Sequence, residues 1–170
     1  MESLKLGNLE YLILNYAIKD RAFWLKIFEA LKPSYFEKED NQKIFTYLKK
    51  YFEKYSQLPD YQIVANELRD IDQTALTSVF SSPKEDTKGY IYDSTLDFIK
   101  ENMMREELLG VIDLLEKRES DRFEKIESRI KKVIRFNLDT SLGIKLADVD
   151  TRYARIAAME RNAFPLECHS

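Results

Sequence analysis

The chain has 170 residues, with 27 basic against 30 acidic side chains, a formal net charge of −3, and only four Gly and four Pro. Scarce Gly and Pro argue against a sandwich or barrel and for a helix-rich protein, with length for one modest core or a small domain plus an extension. The near balance of charge argues against a protein built mainly to coat nucleic acid, whose phosphates demand clustered cations, while leaving room for a local basic patch.

The single Cys and single His are adjacent, Cys168 and His169. A lone Cys makes no internal disulfide, and two ligands do not close a zinc site, so this pair reads as an exposed chain end. The opening segment has a short apolar run broken by Glu10, Asn15 and Lys19. It lacks a basic start and a small-residue cleavage site and so reads as a core helix. No stretch approaches the roughly 20 apolar residues of a membrane span. A cytoplasmic location is expected.

A first helix is predicted after Asn8 as cap, with Leu9, Leu12, Ile13, Tyr16 and Ala17 on one face. Asp20 caps a second, Arg21 to Leu31, whose apolar side is Phe23, Trp24, Ile27, Phe28 and Leu31. Lys32-Pro33 ends it, because the residue before proline is pushed out of the helical region. Asp40 is the expected cap of a third helix through Lys54, with Ile44, Phe45, Leu48 and Phe52 at helical spacing. Leu58-Pro59-Asp60 breaks the chain and opens a fourth helix carrying Ile63, Val64 and Leu68. A weaker helix follows around Thr74 to Phe80. The polar run from Ser81 to Gly89 is the clearest boundary in the sequence.

Beyond it come two long amphipathic stretches, Tyr92 to Arg118 and Asp121 to Phe136. Ser120 is the expected cap between them. A connection this short folds them back as an antiparallel hairpin. The Met103–Leu115 region has apolar residues on more than one side and calls for another surface to cover it. That surface is either the first domain of the same chain or a second copy of the hairpin. A symmetric dimer suits the second case, since identical apolar stripes can be self-complementary. The candidate self-association residues are Met103, Met104, Leu108, Val111, Leu115, Ile126, Ile130 and Ile134, with ordinary intrachain core as the competing reading. After a loop at Asn137–Gly143, a last helix is predicted near Asp148–Asn162. It is too short to be stable alone in water. With Val149, Arg152, Tyr153 and Ile156 it reads as a docking helix for another subunit or domain.

The chain lacks the chemistry of an enzyme. Its glycines, Gly7, Gly89, Gly110 and Gly143, are isolated, so it has no phosphate-binding glycine loop. One terminal His assembles no catalytic constellation. Carboxylate pairs such as Glu106/Glu107 and Asp148/Asp150 read as solvated helix faces or caps. The cluster Arg129, Lys131, Lys132 and Arg135 is a candidate DNA contact. Its place near a helix C-terminus also suits the helix dipole without any ligand, and Glu124 and Glu127 dilute its field.

Three places give the chain a likeness. One is Leu31-Lys32-Pro33-Ser34-Tyr35-Phe36, followed by Ile44-Phe45, Leu48, Leu58-Pro59-Asp60 and Leu68. Another is the hairpin. The third is Asp148-Val149-Asp150-Thr151-Arg152-Tyr153, running to Ala163-Phe164-Pro165. In this order and spacing they resemble the N-terminal region and linker helix of DnaB-family replicative DNA helicases. Asn41-Gln42-Lys43, where many bacterial members carry a His-Arg-type pair, leans toward the bacteriophage type. The resemblance implies an all-α fold, with a compact helical N-terminal domain (residues 1–86), an oligomerisation hairpin (87–138) and a linker with docking helix (139–170). It implies self-association from dimer to hexamer, primase binding at the collar, and docking of the linker helix on a neighbouring subunit's motor. The ATPase motor of the family, which would use ATP and Mg, is absent from these residues and is expected beyond Ser170. The rival expectation is a stand-alone helical adaptor or inhibitor that binds a host protein.

Overall fold

The computed structural model describes residues 2–81 and 88–137, with side chains from Asn8 onward. Seven α-helices and no strand occur among the described residues: α1 Glu2–Lys19, α2 Arg21–Ile27, α3 Glu39–Tyr55, α4 Tyr61–Glu67, α5 Gln73–Phe80, α6 Lys88–Lys117 and α7 Arg122–Arg135. The seven helices all belong to one compact unit. The predicted docking residues Val149, Arg152, Tyr153 and Ile156, and the Cys168–His169 pair, lie outside the described residues. None of the described helices is long and apolar enough to cross a membrane.

Local chemistry sets most of the boundaries. The Asp20 carboxylate accepts from Phe23 N at 3.1 Å, and Asp60 accepts from Ile63 N at 3.0 Å, each satisfying an orphan donor of a first turn. Asp72 does the same for Thr74 N at 2.8 Å and opens α5. Lys32 sits at φ −110°, ψ 146°, the extended conformation that the following proline imposes, and Pro33–Tyr35 make one turn of 3-10 helix. Ser56 ends α3 in the left-handed region at φ 55°, its N–H bonded to Phe52 O at 2.7 Å.

Five expected boundaries differ. α6 starts at Lys88 and not at Tyr92, so Lys88 and Gly89 belong to the helix and not to the polar run before it. α1 starts at Glu2 and runs through Gly7 and Asn8 without a break. α2 ends at Ile27, and turns carry the chain to the buried Leu31. Asp40 lies inside the first turn of α3, behind Lys38 as cap, and its carboxylate accepts instead from Asp72 N at 3.3 Å. Asp121, not Ser120, holds the N-cap position of α7.

α1 is the central element and packs against α2, α3, α5 and α6. Its Ile13, Leu14 and Ala17 are fully buried with Trp24, Ile27, Ile44, Phe45, Leu48, Leu76 and Val79. Trp24 anchors an aromatic cluster, with ring centroids 5.5 Å from Phe52, 5.7 Å from Phe45 and 6.0 Å from Phe28. Phe36, in the corner after the 3-10 turn, lies 5.3 Å from Phe45 and 6.0 Å from Phe98. Through Ile91, Thr95, Phe98 and Ile99, all buried, the first half of α6 belongs to this core.

Two polar clasps lie inside the apolar packing. Asn15 donates through Nδ2 to Val79 O and Ser81 O, both at 2.7 Å, and so ties α1 to the last carbonyls of α5. Glu10, fully buried, accepts from Glu37 N and from Asn41 Nδ2, each at 2.6 Å, pinning the corner before α3 to α1. Asn15 and Glu10, which interrupt the apolar pattern of the sequence, are therefore where α1 fixes its neighbours.

Candidate self-association surface

Helix α6 is 30 residues long, about 45 Å at 1.5 Å per residue. Its first half joins the core, and its second half extends as the long arm of a hairpin with α7. Arg118, at φ 53°, turns the chain between the two helices. Leu114 on α6 and Val133 on α7 are buried where the arms meet.

A carboxylate locks the arms together. Glu107 is 9% exposed, and its two oxygens accept from Arg129 Nη1 at 2.7 Å and Lys132 Nζ at 3.1 Å. The expectation of a solvated face at Glu106/Glu107 is therefore corrected for Glu107. Glu106 is exposed but engaged with Lys32 Nζ at 2.6 Å and the Tyr35 hydroxyl at 3.1 Å. Gly110 makes room for the lock: a Cβ there would stand 2.6 Å from the Arg129 guanidinium.

Burial works to raise the Glu107 pKa, but the hydrogen bonds and charges of Arg129 and Lys132 outweigh it and hold the group below its ordinary 4.5. As pH falls, the unfolded chain takes up this proton first. The stabilisation from Glu107 is thus complete above about 4.5 and is lost as pH drops through the lower folded value. In urea unfolding, the wild type should exceed Glu107→Gln in stability at pH 6, and the gap should narrow steadily below pH 4.5. A gap independent of pH would contradict this role.

The predicted DNA-contact cluster is largely spent in the hairpin itself. Arg129 and Lys132 hold Glu107, and Lys131 pairs with Glu127 one turn back on α7. Arg135 is exposed at the helix end.

The predicted self-association residues are distributed differently from the core. Leu108, Leu115 and Ile134 are 48%, 47% and 67% exposed, while Met103, Met104, Val111, Ile126 and Ile130 are half-buried. None of the eight is fully buried, and three of them are largely open. Sequence reasoning left Leu109, Ile112 and Phe123 out of the candidate surface, and all three are exposed. Ile112, four residues after Leu108, and Phe123, seven before Ile130, stand at helical spacings that could have found them.

At about 100° per residue, Met104, Leu108, Val111 and Leu115 form a stripe roughly a quarter turn from the Glu107–Leu114 face of α6. On α7, Phe123, Ile130 and Ile134 lie a similar quarter turn, in the same sense, from Val133. Reversing one helix of an antiparallel pair also reverses its rotational sense, so both offsets fall on the same flank. The hairpin therefore carries one two-helix apolar flank, which Ile112 and then Leu109 extend around α6 toward the side facing away from α7. Contiguous exposed apolar surface on two adjoining helices is the kind of feature that marks an interaction site.

Compared with known proteins, the chain matches no protein-family model and no curated sequence.

Proposed function

We propose that this chain is the N-terminal assembly and primase-interaction region of a hexameric replicative DNA helicase of the DnaB family, bacteriophage type, acting at the replication fork. The observation that carries the reading is the apolar flank of the α6–α7 hairpin, which stays exposed among the described residues. A collar built from repeated copies needs such a surface on a rigid arm. The Glu107 lock supplies that rigidity, and charged residues elsewhere keep the assembly soluble. In this reading one hairpin pairs with a neighbour's, and the pairs assemble toward a hexamer. The collar receives primase. Val149, Arg152, Tyr153 and Ile156 dock on the adjacent subunit's motor, which would itself bind ATP and Mg.

Light scattering across the micromolar range tests the reading, together with co-migration of the chain with the primase of the same genome. Dimers rising to larger even-numbered species, and a complex with primase, are expected. A strict monomer that ignores primase, with no G-x-x-x-x-G-K-[ST] motif in the coding frame after Ser170, would replace this reading with the stand-alone adaptor.

A further inference from the structure

We draw no further inference here: the strongest candidate, the open cleft of about 450 Å³ between α3 and the Pro33 and Leu68 side chains, has its Lys43 already held by Glu39 and Asp70, and nothing in the structure shows what covers it.

Discussion

Glu10→Ala is expected to cost about 2–5 kcal/mol of unfolding free energy, because it strands one buried and one part-buried donor at about 1–3 kcal/mol each. The carboxyl group is fully buried and accepts from Glu37 N and Asn41 Nδ2, both at 2.6 Å. Truncation leaves the buried Asn41 amide and the part-buried Glu37 N–H without their acceptor, and it opens a void beside α1. Asn41→Ala removes one donor and should cost less. The two substitutions share a hydrogen bond, so the double variant should fall short of the sum of the singles. Urea unfolding of the three variants measures this. Full additivity, or a loss below 1 kcal/mol for Glu10→Ala, would show that the corner before α3 does not depend on the clasp.

Leu108→Glu is expected to convert an associating protein into a monomer at tens of micromolar. Leu108 is 48% exposed on the flank shared by α6 and α7. In a two-fold symmetric pair each substitution occurs twice, so both copies lose apolar burial of about 1.5–3 kcal/mol and both bring a carboxylate to the interface. The dissociation constant should rise by at least a hundred-fold, on the order of 3 kcal/mol. The fold should be nearly unaffected, since an exposed substitution typically changes stability by about 0.5 kcal/mol or less. Leu114→Glu gives the contrast. Its site is buried between the arms, and that variant should lose stability outright. Sedimentation equilibrium combined with thermal unfolding separates the two effects. A wild-type chain that stays monomeric at high concentration would remove the self-association surface altogether.

Local signals in the sequence determined the helical class and most of its punctuation. Asp20 and Asp60 cap as their types and positions require, because a short carboxylate ahead of an apolar run satisfies first-turn donors without help from elsewhere. Pro33 acts through its own ring and the residue before it. The hairpin followed from two amphipathic stretches with too few residues between them to do anything but reverse. That the Met103–Leu115 region has apolar residues on more than one side was also legible from periodicity.

Tertiary structure decided which of those faces are covered and which charges are free. Glu107 and Glu10 read as ordinary solvated or interrupting acids, yet both are buried, because partners 22 to 31 residues away in sequence reach them. Arg129 and Lys132 read as a basic patch, but they point their charge at Glu107. The same long-range placement left Leu108, Leu115 and Ile134 uncovered, while Leu114 and Val133 went inside. Periodicity assigns a residue to a face of its own helix. Whether that face meets solvent, a carboxylate or another helix depends on contacts between distant segments, which no local pattern encodes.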